Sequence, residues 1–158
     1  MNIEIRDARD GDAEALSPLM EQLMHQPSTP EQIRLRLSRL ASTGADRVVV
    51  AVKDERVVGL AGLHLAWMVH ADAPTARLLS LVVDESCRGQ GIGRLLADAN
   101  FARARAAGFL KIVINVRADN SGAQYFYSAL GFQPCGRLVR QAFVDGHYVD
   151  ELLYELFL

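Results

Sequence analysis

The sequence predicts an α+β (mixed α/β) domain spanning residues 1–158, with elements in the order βααβββαβαββ. Three observations carry that prediction. Short apolar or alternating runs mark strands in two groups. Stretches with a 3.6-residue apolar period mark helices before and between them. At the centre, "SCRGQGIGRLL" (residues 86–96) joins an apolar run to a helix through Gly89, Gly91 and Gly93. A chain of 158 residues, half of them hydrophobic, suffices for one well-buried core and is short for two.

The first strand is "IEIRDA", which alternates apolar and polar residues. "DGDAEALSPLMEQLM" then repeats apolar residues at helical spacing (Ala15, Leu19 and Leu23, with Leu16 and Met20), and Asp10 or Asp12 suits its N-cap. "HQPSTPEQ" breaks the chain with two prolines, and Ser28 or Thr29 suits the cap of a second helix carrying Ile33, Leu37 and Leu40, which ends before Gly44. "RVVVAVKDERVVGLAGLHLAW" reads as two strands joined by the polar turn "KDER". After the break "HADAP", "ARLLSLVVD" is apolar enough to read as a strand buried on both faces.

The helix after the glycine loop, "RLLADANFARARAAGF", places Leu95, Ala99, Ala102 and Ala106 on one stripe, with Gly108 as its C-terminal cap. "LKIVINV" is a central strand and "SGAQYFYSALG" a short helix. The chain closes in an antiparallel hairpin around the "DG" of residues 145–146. Repeats, low-complexity tracts and linkers are absent from the sequence.

A formal net charge of −2 and a pI near 6.1 provide no whole-protein attraction for nucleic acid or an anionic membrane, so any anion site must be local. The start "MNIEIRDARDGD" does not read as a signal peptide, and no apolar run approaches the roughly 18 residues of a membrane span. A cytoplasmic protein is expected. Cys87 and Cys135 are too few for a disulfide framework, and neither they nor His25, His70 and His147 show metal-ligand spacing, so no metal is expected.

The glycine loop invites comparison with phosphate-binding loops. A P-loop requires a lysine after its last glycine, and none lies near Gly93. A dinucleotide fingerprint meets Ile92 and Arg94 where further glycine is needed, and the next strand ends in Arg117 instead of an acidic residue. What remains is a strand-to-helix loop in which unpaired backbone N–H groups and the helix dipole make an anion cradle. Glycine there removes the Cβ that would hold an anion off and permits positive φ, while Arg88 adds a charged donor. The plainer alternative is that the glycines only make a tight turn, for which two would suffice.

Arg88-Gly89-Gln90-Gly91-Ile92-Gly93 resembles the Arg/Gln-x-x-Gly-x-Gly/Ala acetyl-CoA signature of the GNAT superfamily of N-acetyltransferases. "ALGF", residues 129–132, is similar to its second landmark, and with Asn120 and Tyr127 in the expected order the resemblance covers nearly the whole chain. It implies a central, mostly antiparallel twisted sheet with helices on both faces, and acetyl-CoA as co-substrate. It also implies that Leu81, Val82 and Val83 lend backbone groups to the pantetheine arm and that residues Arg88, Gly89, Gln90, Gly91, Ile92, Gly93 and Arg94 enclose the pyrophosphate. By the same resemblance Asn120 is a second cofactor contact and Tyr127 the general acid toward the leaving thiolate.

The residues themselves leave alternatives open. Asn120 also suits a helix cap, with Ser121 and Gln124 as a capping box, and Tyr127 also falls on a stripe with Ala123, Phe126 and Leu130 that a core would bury. Cys87 reads as a small buried residue, since direct attack by an amine needs no covalent enzyme intermediate. The strand before the loop, Leu78-Leu79-Ser80-Leu81, supplies no carboxylate for a general base. His64 is the best-placed candidate, on a strand adjoining the presumed cleft, with Glu21 and Glu151 behind it and a water chain as the alternative.

The expected acceptor is a primary amine on a small molecule. Peptide or protein N-terminal or lysine acetylation and a non-catalytic acyl-CoA sensor are the alternatives. Glu14, Glu21, Glu31, Asp145, Asp150 and Glu151 fall in the segments that would meet a cationic acceptor. A homodimer through the last strand, "HYVDELLYELFL", is a further expectation.

Overall fold

The alternating and apolar runs become seven strands of one sheet, in the computed structural model that describes residues 2–70 and 75–158. They are β1 (Ile3–Asp7), β2 (Asp46–Lys53), β3 (Arg56–Leu65), β4 (Thr75–Val83), β5 (Lys111–Arg117), β6 (Gln133–Val144) and β7 (His147–Phe157). Four helices connect them: α1 (Ala13–Met24), α2 (Pro30–Thr43), α3 (Ile92–Ala106) and α4 (Ser121–Ala129). The element order is the one the sequence predicts. Part of the "HADAP" break lies outside the described residues.

Sheet order is β1-β2-β3-β4-β5-β7-β6, with every neighbouring pair antiparallel except β4 and β5. α1 and α2 cover one face, where Leu16, Leu19 and Ile33 meet Val50, Leu60 and Val82. α3 covers the other, where Leu96, Phe101 and Phe132 meet Ile112 and Ile114. Each fully buried side chain of this kind contributes roughly 1.5–3 kcal/mol. Among the described residues no helix is long and apolar enough to cross a membrane.

Local signals explain most element ends. Thr29 and Gln32 form a reciprocal capping box at α2 (Gln32 N to Thr29 Oγ1 3.2 Å, Thr29 N to Gln32 Oε1 2.9 Å), and Gly44 ends that helix in the left-handed region. Asp145 and Gly146 turn the last hairpin with φ of 49° and 80°.

The structure corrects five expectations. Neither Asp10 nor Asp12 caps α1 with its side chain, because the Asp12 carboxylate turns back to Arg6 and to the Arg9 N–H. The buried stripe of α3 is Ile92, Leu96, Ala97, Asn100, Phe101 and Ala104, one residue out of phase from the expected one, and Leu95 is exposed. β4 is not buried on both faces, since Leu79 is 56% exposed. Gln124 donates to the Arg117 and Ala118 carbonyls and so takes no part in a capping box with Ser121. The last strand, β7, lies between β5 and β6 with both edges paired, so it cannot also pair with a second copy.

Candidate active site

The cleft begins where two parallel strands part. β4 and β5 pair only through Thr75–Arg77 and Lys111–Val113. On its other edge β4 carries a bulge: Gly62 faces Ser80 and Leu63 faces Leu78, which leaves Leu79 as the extra residue. A bulge bends its strand and re-aims the side chain beside it. β4 therefore swings from β5, and a cleft of about 760 Å³ opens between Leu78–Val83 and Asn115–Arg117. The loop before α3, Asn120 at the cap of α4, Tyr127 within α4, and Gln22, Leu23 and His25 at the end of α1 also line it.

The loop shows why its glycines are needed. Gly89 and Gly91 hold φ of 74° and 79°, where a Cβ is strained, although no neighbouring atom would touch one. Gly93 answers a different demand, because a Cβ there would stand 3.1 Å from the Phe126 ring of α4. Gly91 is the N-cap of α3, and among the described residues no side chain caps that helix, so its first-turn N–H groups have no partner within it. Gly89, Gly91, Ile92, Gly93 and Arg94 all line the cleft, as do Leu81, Val82 and Val83. Arg88 lines it too, steadied by Nε donating to the Val83 carbonyl at 3.2 Å. Gln90 lies outside the lining, and its Oε1 accepts from Lys53 Nζ at 2.9 Å, which ties the loop to β2.

Asn120 caps α4, its Oδ1 accepting from the Ala123 N–H at 3.0 Å, while the residue also lines the cleft. Tyr127 packs edge-on against Phe126 (5.1 Å between centroids) and Phe132 (5.6 Å). Among the described residues its hydroxyl has no hydrogen-bond partner. Burial pushes the phenol up to about 12, because the phenolate would be desolvated.

The general-base candidates separate cleanly. His64 is not brought to the cleft: its Nδ1 bonds Asp46 Oδ1 at 2.8 Å at the far end of β3. Glu21 is also outside the lining, whereas Glu151 of β7 is within it. Asn115 Nδ2 donates to Glu151 Oε2 (2.8 Å), and Arg77 donates to Asn115 Oδ1 (2.8 Å), so a three-residue chain across β4, β5 and β7 orients that carboxylate. The other flagged acidic residues stand outside the cleft, with Glu14 paired to Arg34 and Asp150 to Arg137. Cys87 is buried at the cleft wall.

Sequence reasoning missed Gln22, Leu23, His25 and Asn115 as cleft residues. One signal pointed to Asn115, a polar residue inside the apolar run "LKIVINV". No local signal marks the end of α1 as a wall of a cleft built some 60 residues later.

Residues 13–132 match the model of the acetyltransferase (GNAT) family. Glucosamine 6-phosphate N-acetyltransferase 1 of Oryza sativa subsp. japonica is 29% identical over 110 residues, 67% of this chain and 65% of that protein. Mycothiol acetyltransferase of Nocardia farcinica is 36% identical over 76 residues, 46% of this chain and 24% of that protein. The matched region thus spans less than two thirds of each of these relatives. Among solved structures, ribosomal-protein-alanine N-acetyltransferase from Brucella melitensis superposes with a TM-score of 0.85 at 24% identity, covering 98% of this chain and 99% of that one. Phosphinothricin acetyltransferase from Sinorhizobium meliloti, in complex with acetyl-CoA, gives 0.82 at 21% identity over 100% and 89%. At such identities the likeness establishes the fold.

Proposed function

The chain belongs to the GNAT acetyltransferase family, and from that premise we propose that it moves an acetyl group from acetyl-CoA to a primary amine on a small molecule by direct attack. One observation carries this reading: the uncapped N-terminus of α3, the edge of β4 that β5 leaves unpaired, and Tyr127 all line a single cleft.

The site's own groups fit that co-substrate. The first-turn N–H groups of α3, with Arg88 and Arg94 beside them, provide donors for a pyrophosphate. The β5-facing backbone of Leu79–Val83 has lost its strand partner and suits an amide-bearing arm laid along it as a further strand would be. When bound, acetyl-CoA supplies an acyl group activated as a thioester.

Glu151 is the one carboxylate lining the cleft among the described residues, and it suits both attraction of a cationic amine and acceptance of its proton. Tyr127 stays protonated through the neutral range. Full transfer from a phenol near 12 to a thiolate of ordinary pKa would be uphill by about 3.5 units, or roughly 5 kcal/mol, so its role is a hydrogen bond to the departing sulfur. The names of the curated relatives favour a small acceptor.

Incubation with acetyl-CoA and a panel of amino sugars, amino acids, polyamines and peptides, followed by thiol release, tests the reading. The expected outcome is turnover on a small amine. Tyr127→Phe should lower kcat by roughly 10²-fold while calorimetry shows unchanged acetyl-CoA affinity. Absence of acetyl-CoA binding would overturn the proposal, and turnover confined to peptides would replace its acceptor.

A further inference from the structure

A second cavity, of about 200 Å³, lies on the α1–α2 face of the sheet and shares Leu79 and Ser80 with the cleft. Its walls are apolar, with Leu16 and Met20 from α1, Leu37 from α2 and Leu60 from β3. The charged residues at its margin are engaged elsewhere. Arg36 donates to Ser28 Oγ (3.0 Å), Arg47 to the Asp46 carbonyl (2.8 Å), and the Asp46 carboxylate bonds Thr43 and His64. The cavity therefore presents mostly apolar surface to an occupant, with the Arg36 and Arg47 guanidiniums at its margin turned to neutral oxygens.

Its position relative to the cleft selects the occupant. A co-substrate whose pyrophosphate met the α3 N-terminus would lay its arm along β4 from Val83 toward Leu79, four residues or roughly 13 Å of strand. An arm laid this way would bring its acyl end toward Leu79 and Ser80, the two residues common to both cavities. Across the cleft stands Glu151, held by Asn115. A cationic amine belongs on the carboxylate side, since an apolar pocket would strip its hydration without return. The apolar side is left for the acyl group.

We propose that this cavity is an acyl-chain site and that the protein transfers acyl groups longer than acetyl, of roughly four to six carbons, as suits a cavity somewhat larger than the 150 Å³ that holds benzene. This rests on the acyl-CoA reading of the cleft. The chemistry is that of acetyl transfer: the amine nitrogen attacks the thioester carbonyl, a C–N bond forms, and the C–S bond breaks with its electron pair on sulfur. The proton released by the nitrogen leaves through Glu151 or water, and the thiolate is protonated from solvent.

Gly62 makes the test clean. It faces Ser80 from β3, it lines the cavity and not the cleft, and a Cβ placed on it would meet Ser80 only at 4.0 Å. Turnover of acetyl-, butyryl- and hexanoyl-CoA with one amine, and calorimetric binding of each, should be compared in the wild type and in Gly62→Val. Butyryl- or hexanoyl-CoA should match or exceed acetyl-CoA in kcat/KM. Gly62→Val should depress hexanoyl turnover about tenfold and acetyl turnover less than about twofold. Should Gly62→Val not fold, Gly62→Ala reads the same change more weakly, and hexanoyl-CoA binding by the wild type decides in either case. Acetyl-CoA used while longer chains are neither turned over nor bound better than free coenzyme A overturns this proposal alone. So does a Gly62→Val effect confined to the KM of the amine, which would make the cavity the acceptor's. No turnover of any acyl-CoA overturns the function reading as well.

Discussion

Arg6 and Asp12 meet before α1 through two hydrogen bonds of 2.8 and 2.7 Å, both side chains mostly shielded from solvent. The Arg6 bond, with the Arg9 N–H, holds the Asp12 carboxyl below the usual carboxylate range against the opposing effect of burial. A folded-state pKa below the unfolded value means the pair stabilises the protein at neutral pH and ceases to do so as pH falls through the carboxylate range. Asp12→Asn should cost about 3 kcal/mol at pH 7, with the difference from wild type shrinking below about pH 4 in urea titrations. At Tyr127 the sign is reversed. Its raised pKa adds nothing below about pH 10, and stability should decline from there toward 12, a decline that Tyr127→Phe removes.

Elements bring their own constraints on backbone and phase. Asp54 and Glu55 turn β2 into β3 with φ of 48° and 63°, a hairpin geometry that favours glycine. Glu55→Gly should raise stability by about 1 kcal/mol, seen as a melting temperature higher by roughly 2–4 °C. At the N-cap of α3 the same argument runs in reverse: Gly91→Ala should cost about 1–2 kcal/mol and weaken acetyl-CoA binding, measured by calorimetry alongside the melt. Most elements were legible because their signals are local, such as the Thr29–Gln32 box and the Asp145–Gly146 turn. The stripe of α3 was misread because Leu95 and Leu96 are adjacent and its alanines fit several phases. Asn100, fully buried with Nδ2 on the Leu96 carbonyl, hides the true phase behind a polar name.

At the scale of the whole sheet, β4 and β5 are the one parallel pair among the described residues, and they can part to open the candidate site without breaking the sheet elsewhere. The free edge nearest the C-terminus is β6, interrupted by Pro134 and two register shifts, which blunts it against pairing with another copy. A co-substrate gripping α3, β4 and α4 together should stabilise the folded chain as a unit. Acetyl-CoA at about a hundred times its Kd should add roughly 2.7 kcal/mol and raise the melting temperature by about 5–10 °C in a thermal-shift experiment. An unchanged melt would mean that the cleft does not hold it.

The sequence by itself determined the element order, most element ends and the strand–glycine–helix loop, because each depends on residues two to four positions apart. Tertiary structure decided what those signals cannot carry: the bulge at Leu79, the insertion of β7 between β5 and β6, the placement of Glu151 in the cleft, and the separation of His64 from it. The physical reason is register. Pairing partners set which side chains share a face across dozens of intervening residues, and a single extra residue in β4 re-aims a side chain and opens a cleft that no local pattern records.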